Sequence, residues 1–145
     1  MPDTAGRVPL GIFGGTFDPV HAGHLRLAEE AADLLGLERV LWIPAGHPAH
    51  RDAPRASAAD RLEMVRLATA GNPRFELDPG EVDSARPSYT VPTLERLRSA
   101  AAPGQRPLVL LLGADAFAGI PGWHRWPELF ELAHIAVAHR PGFEL

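Results

Sequence analysis

The stretch from Val8 to Leu25 constrains the fold more than any other part of the chain. It reads Val-Pro-Leu-Gly-Ile-Phe-Gly-Gly-Thr-Phe-Asp-Pro-Val-His-Ala-Gly-His-Leu, so an apolar run leads directly into Gly14-Gly15 and then into two histidines. This pattern predicts a strand from about Pro9 to Phe13, then a glycine turn, then the start of a helix. Paired glycines can adopt positive φ and carry no side chain, so an anion could approach main-chain N–H groups at this turn.

His21 and His24 are three residues apart at the start of the predicted helix. This spacing places both imidazoles on one helical face. The N-terminus of a helix also offers unpaired N–H groups and a partial positive charge, and both favour a bound phosphate. Each part has a plainer explanation, because a glycine pair after a strand is usually only a turn and a histidine pair is more often a surface feature.

Strand and helix patterns alternate along the rest of the chain. Leu25, Ala28, Ala32 and Leu35 recur at helical spacing, and Gly36 is placed to end that helix. Later apolar runs predict four more strands, near residues 39–44, 74–77, 107–113 and 134–138. The alternation predicts a single α/β domain over residues 1–145, with a doubly wound, Rossmann-like parallel sheet of about five strands in three layers.

A second helix is predicted to follow Ser57. Ser57 and Asp60 resemble a capping box, Val65 and Leu67 lie among its apolar residues, and Gly71 is placed to end it. We interpret this helix as a packing element only.

Composition excludes several classes of site and partner. The chain has 145 residues, a net charge of −4, and no lysine among its 14 basic residues, so no broad cationic face for a nucleic acid polymer is expected. Cysteine is absent, which excludes disulfides, thiolate zinc sites and a cysteine nucleophile. No apolar run is long enough for a membrane span, so we expect a cytoplasmic protein without a membrane partner.

Two segments that follow predicted strands carry candidate binding residues. The loop from 45 to 56 follows the second strand, where His47, His50 and Arg51 could reach a phosphate. For His47, an exposed polar loop without a ligand is an equal alternative. Asp115 follows the strand that ends at Gly113, and its carboxylate should be either a helix N-cap or a ligand contact, because burying it unpaired is too costly.

Two aromatic residues follow a Pro-Gly turn near the end of the chain. Trp123 and Trp126 are three apart, a spacing that usually means one helical face packed into a core. We predict that Trp123, directly after the turn, stacks on a flat ring, and that Trp126 lies in the core.

The segment around Gly14 resembles the signature of the nucleotidyltransferase superfamily that carries a His-x-Gly-His motif. In its full form it is most similar to bacterial nicotinate-nucleotide adenylyltransferases. The resemblance continues through Pro-Ser-Tyr-Thr, Gly-x-Asp, Gly-Trp and His-Arg-Pro-Gly, in that order. It implies transfer of an adenylyl group from ATP to nicotinate mononucleotide, giving nicotinate adenine dinucleotide and pyrophosphate in NAD biosynthesis. Mg²⁺ would be bound through the ATP phosphates, without a protein metal site.

The resemblance also implies roles for individual residues. His21 and His24 would be catalytic, as donors to the triphosphate. The implied ATP contacts are Gly14, Gly15, Thr16, Phe17, His21, His24, Gly113 and Asp115. The implied mononucleotide contacts are His50, Arg51, Ser88, Tyr89, Thr90, Trp123, His124 and Arg140. From the residues alone, Ser88 or Thr90 could instead cap the helix that is predicted to run to about Ala101.

The resemblance leaves alternatives open. Its members continue into an Ile-Ser-Ser/Thr-x-x-x-Arg motif that holds the ATP phosphates, and these 145 residues contain no such motif. We therefore expect a chain truncated at its C-terminus, with weaker ATP binding and turnover than a version extended through that motif. A nucleotide-binding module without turnover, or a sister enzyme such as a phosphopantetheine adenylyltransferase or a cytidylyltransferase, remains an alternative, and homo-oligomer formation is open.

Overall fold

The computed structural model describes residues 8–48, 53–100 and 107–139. Strands and helices alternate along these residues. The strands are β1 (Leu10–Gly15), β2 (Arg39–Pro44), β3 (Phe75–Leu77), β4 (Leu108–Gly113) and β5 (His134–Ala138). The helices are α1 (Ala22–Leu35), α2 (Ala58–Thr69), α3 (Gly80–Asp83), α4 (Thr90–Ala100), α5 (Ala114–Ala118) and α6 (Leu129–Leu132).

The five strands form one parallel sheet in the order β3-β2-β1-β4-β5. The predicted doubly wound, Rossmann-like α/β fold is therefore confirmed. The chain moves outward from β1 in one direction and then returns to its other side, so the direction of winding reverses between β1 and β4. In open α/β sheets, ligands bind outside the carboxyl ends of the strands at such a point.

The sheet separates two layers of core. Leu10, Ile12 and Ile43 face one layer with α4, whereas Phe13 and Trp42 face the other with α1 and α2. Alternate residues of each strand point to opposite faces, so both faces are buried and the strands read as continuous apolar runs. This arrangement gives the predicted three layers.

The first strand is longer than predicted, and the glycine turn is displaced. Gly14 and Gly15 continue β1, because they pair with Ile43 and with Pro44 of β2. The positive φ of this region, 51°, is at Phe17 and not at either glycine. The sheet register decides this, since β2 extends beside both glycines and keeps them in strand conformation.

The C-terminus of α1 and the N-terminus of α2 follow local capping rules. Gly36 ends α1 in the left-handed region, with φ of 66°, as predicted. The Oγ of Ser57 accepts the N–H of Asp60 and caps α2, but this helix ends at Thr69 and not at Gly71.

Two apolar positions of the helical patterns, Leu35 and Leu67, face outward. Val65 is fully buried, but Leu67 is 63% exposed and Leu35 of α1 is 45% exposed. The sheet covers only one stripe of each helix, so part of each apolar pattern faces outward. Within the described residues, no helix is long and apolar enough to cross a membrane.

Candidate active site

A cleft opens at the carboxyl edge of the sheet, between β1 and β4. The pairing of these strands ends at Ile12 and Leu110, whereas β1 stays paired with β2 as far as Gly15. The cavity beyond this point has a volume of about 320 Å³, which is within the range of small-molecule sites. Residues from both halves of the sheet line it, including Gly14, Gly15, Thr16, Ala45, Ser88, Tyr89, Thr90, Asp115, Trp123 and His124.

The glycines at the end of β1 leave room beside the strand because they carry no side chain. A side chain at Gly15 would contact the ring of Phe17 at 3.3 Å, so the absence of a Cβ lets that ring fold under the strand. The Phe17 side chain is buried in the core. Any contact of Phe17 with a ligand is thereby restricted to its main chain.

His21 and His24 form a reciprocal cap at the start of α1. His21 is the N-cap residue, and its Nδ1 accepts the N–H of Gly23 at 3.1 Å. The Nδ1 of His24 accepts the N–H of His21 at 3.0 Å. The rings stack with centroids 3.8 Å apart, which confirms the predicted shared face.

This cap fixes the chemistry of the two imidazoles. Because Nδ1 accepts a hydrogen bond in each ring, each neutral ring carries its proton on Nε2. His24 is further fixed by Phe17, whose ring meets it edge to face at 5.0 Å between centroids. The pair lies outside the lining of the cavity, at the helix N-terminus beside the β1 turn, and is suited to donating hydrogen bonds to an anion there.

Asp115 lies at the β4 side of the cleft. The N-cap of α5 is Gly113, so Asp115 is not the cap and lies in the first helical turn. Its exposed carboxylate lines the cavity. Of its two predicted roles, the position excludes the cap and is compatible with a ligand contact.

Ser88 connects the wall of the cleft to the loop after β2. Its Oγ accepts the N–H of Gly46 at 3.0 Å and the N–H of His47 at 3.1 Å. Its own N–H donates to the carbonyl of His47 at 2.9 Å. Ser88 therefore ties the segment before α4, which begins at Thr90, to the loop after β2.

Glu81 is a cavity residue that the sequence pattern did not identify. Its Oε2 accepts the hydroxyl of Thr93 at 2.7 Å, and a side-chain hydrogen bond joins it to Ser88. Burial raises the pKa of Glu81, and the bonds from Thr93 and Ser88 oppose that rise. It also borders a second cavity of about 450 Å³ beside the first.

Aromatic rings form the outer wall. Trp123 is half-buried, lines the cavity and packs against the core. Tyr89 and His124 stack with centroids 4.4 Å apart and an interplanar angle of 27°. The prediction that Trp126 lies in the core is wrong, because Trp126 is 36% exposed and its ring lies edge to face against that of Phe130, which is itself exposed.

The local backbone explains this difference between the tryptophans. Arg125 adopts φ of 57° between two short 3-10 turns, so Trp123 and Trp126 do not share one helix. The guanidinium of Arg125 holds this conformation through Glu95 of α4 and Glu128.

Arg61 of α2 lies beneath the cleft and was also missed. It is 1% exposed. Its guanidinium donates to the carbonyls of Thr16, Ala45, Gly46 and Ala56. Burial lowers the pKa of Arg61, and the nearby Asp18 carboxylate opposes that change. A signal was available, because Arg61 shares the i, i+4 stripe of the buried Val65.

Three predicted binding residues, His50, Arg51 and Arg140, lie outside the described residues. Among residues 8–48, 53–100 and 107–139, no group of three or more His, Asp or Glu side chains is placed to hold a metal ion.

Comparison with known proteins identifies the family. The model of the cytidylyltransferase-like family matches residues 12–144. A protein of Dechloromonas aromatica (strain RCB), named "Probable nicotinate-nucleotide adenylyltransferase", is 67% identical over 135 residues, which are 93% of this chain and 62% of that protein. A protein of the same name from Pseudomonas putida (strain GB-1) is 51% identical over 132 residues, 91% of this chain and 60% of that protein. The chain thus spans about three fifths of the length of these relatives.

A solved structure has the same fold. The nicotinic acid mononucleotide adenylyltransferase of Plasmodium falciparum, complexed with NaAD, superposes with a TM-score of 0.81 at 16% identity, over 96% of this chain and 68% of that one. Since the family model covers nearly all of the chain and the fold agrees, the chain belongs to the cytidylyltransferase-like family.

Proposed function

We propose that the protein transfers an adenylyl group from ATP to nicotinate mononucleotide, releasing pyrophosphate. The observation that carries the proposal is a cleft between β1 and β4 with a histidine-capped helix at one side and aromatic rings at the other. The names of the relatives support this choice of substrates.

The two sides of the cleft suit the two substrates. ATP lies with its phosphates between the β1 turn and the N-terminus of α1, and with its nucleoside near Asp115 and the end of β4. The mononucleotide lies against Ser88, Tyr89, Thr90, Trp123 and His124, where its ring stacks on Trp123. A flat ring such as that of the mononucleotide can stack on an aromatic side chain through its π-face.

The reaction needs no enzyme nucleophile. An oxygen of the mononucleotide phosphate forms a bond to the α-phosphorus of ATP, and the bond from that phosphorus to the β-bridging oxygen breaks. The attacking group is already an anion, so the protein contributes position and charge stabilisation. The Nε2–H groups of His21 and His24 donate to phosphate oxygens as charge moves onto the pyrophosphate.

Mg²⁺ enters with ATP as part of that substrate. Within the described residues no side-chain set is arranged as a metal site, and phosphate oxygens are ligands that Mg²⁺ favours.

The direct test is to incubate the chain with ATP and nicotinate mononucleotide and to measure both pyrophosphate and the dinucleotide. We expect equal amounts of the two products, and none when either substrate is omitted. Binding of both nucleotides without pyrophosphate release would replace the proposal with a nucleotide-binding module. Pyrophosphate release only with phosphopantetheine as acceptor, or only with CTP as donor, would favour a sister transferase.

A further inference from the structure

The buried guanidinium of Arg61 contacts the main chain of both loops that form the cleft. It donates to the carbonyl of Thr16 in the loop after β1 at 2.9 Å. It also donates to the carbonyls of Ala45 and Gly46 in the loop after β2, at 2.5 and 3.3 Å. A planar guanidinium has five N–H donors in a fixed fork, whereas a lysine has three on a single rotating nitrogen and cannot reproduce that arrangement.

The orientation of these carbonyls sets the orientation of the next N–H groups. The peptide units after Thr16, Ala45 and Gly46 are trans, and in a trans unit the C=O and the N–H point to opposite sides. Two of the three N–H groups show this directly. The N–H groups of Gly46 and His47 point away from Arg61 and donate to the Oγ of Ser88 in the wall of the cleft.

The third unit follows the same rule on the other side of the cleft. The carbonyl of Thr16 accepts from Arg61, so the N–H of Phe17 points away from it, at the turn between Gly15 and the capped start of α1. A charged donor on a carbonyl also polarises the peptide unit and strengthens its N–H as a donor.

We propose that Arg61 is a positioning residue for nucleotidyl transfer, which orients three peptide units so that their N–H groups serve the phosphate side and the mononucleotide side of the cleft together. Its effect on rate rests on the function proposed above. Its effect on the order of the two loops does not depend on that function.

The test compares Arg61→Lys with Val65→Ala. Lysine keeps the positive charge but loses the planar set of donors. Val65 is fully buried one turn further along α2 and belongs to the apolar core on that face of the sheet, and its side chain has no hydrogen-bonding group to hold a loop carbonyl. Val65→Ala therefore controls for a general loss of stability in α2, and the melting temperatures of both variants would measure that loss.

Amide hydrogen exchange, measured without ligand, reports how well the main chain of the two loops is ordered. We expect Arg61→Lys to speed exchange at least tenfold in peptides covering residues 14–17 and 45–48, while Val65→Ala leaves them within twofold of the wild type. We also expect kcat to fall at least tenfold in Arg61→Lys and less than twofold in Val65→Ala. Equal exchange in the two variants would overturn the proposal, as would faster exchange with unchanged kcat.

These readings separate the two proposals. A wild-type chain that forms no dinucleotide refutes the proposed function, and the exchange result still decides the role of Arg61 in the loops. Should Arg61→Lys not fold, the wild type labelled with ¹⁵N-arginine provides the measurement. The guanidinium signals of Arg61 should move when ATP or nicotinate mononucleotide is bound, as judged by calorimetry, while those of Arg74, paired with Glu29 and Asp33, stay in place. Unmoved Arg61 signals with bound nucleotide would overturn the proposal.

Discussion

The reciprocal cap gives His24 two separable contributions, one to helix stability and one to turnover. Its Nδ1 accepts the N–H of His21, and its Nε2–H is the proposed donor to the triphosphate. Loss of a side-chain cap costs about 1 kcal/mol, which corresponds to a fall in melting temperature of about 2–4 °C for a chain of this size. Loss of one donor to developing charge costs about 3–4 kcal/mol of barrier, or roughly a hundredfold to a thousandfold in kcat.

Two substitutions distinguish these contributions. His24→Ala should lose both, so its melting temperature and its kcat should both fall by these amounts. Glutamate is the usual third-position partner in a capping box, so His24→Glu should recover the lost stability. It cannot donate to a phosphate, and its charge opposes the triphosphate, so its kcat should be at least as low as that of His24→Ala.

Thermal unfolding and initial rates of pyrophosphate release at saturating substrates measure the two contributions. The reasoning is refuted if His24→Glu keeps kcat within tenfold of the wild type. It is also refuted if the two variants lose activity in proportion to their loss of stability, since His24 would then act only through the helix.

Three further predictions concern the walls of the cleft. Trp123→Ala should weaken the binding of nicotinate mononucleotide by roughly 1–3 kcal/mol, measured by calorimetry, and leave ATP binding unchanged. Trp126→Ala, at an exposed site, should change neither affinity. Equal losses of affinity in the two variants would contradict the stacking role of Trp123. Glu81→Gln should raise the free energy of unfolding in urea at pH 7, because burial disfavours the charged carboxylate and raises the pKa of Glu81. The wild type loses stability as the pH rises from the pKa of the unfolded chain through that raised pKa, so the gain from Glu81→Gln should shrink towards pH 4. A gain that does not change with pH would be inconsistent with this cause. Gly46→Ala should destabilise the protein and raise KM for the mononucleotide, because the new Cβ would lie 2.3 Å from a main-chain oxygen, whereas Gly71→Ala, with open space around it, should do neither.

Much of the architecture could be predicted from the sequence because its causes are local. The run from His134 to Ala138 is a strand as predicted, since a short, largely apolar run is typical of a buried strand. Gly36 ends α1 because the left-handed conformation favours glycine. The shared face of His21 and His24 follows from spacing alone.

What the tertiary structure decided depends on contacts between distant residues. The glycines of β1 stay extended because β2 pairs beside them. Trp126 turns outward because Arg125, bound to Glu95 thirty residues earlier, breaks the helical spacing. In the sequence, Arg61 shares the inward stripe of its helix with Val65, but nothing there marks its hydrogen-bond partners. Arg61 connects the two loops because the fold brings the carbonyls of Thr16, 45 residues away, and Ala45, 16 residues away, to its guanidinium. A pattern of period 2 or 3.6 records which side of an element faces inward, but it carries no information about which distant main-chain oxygen will meet the side chain there.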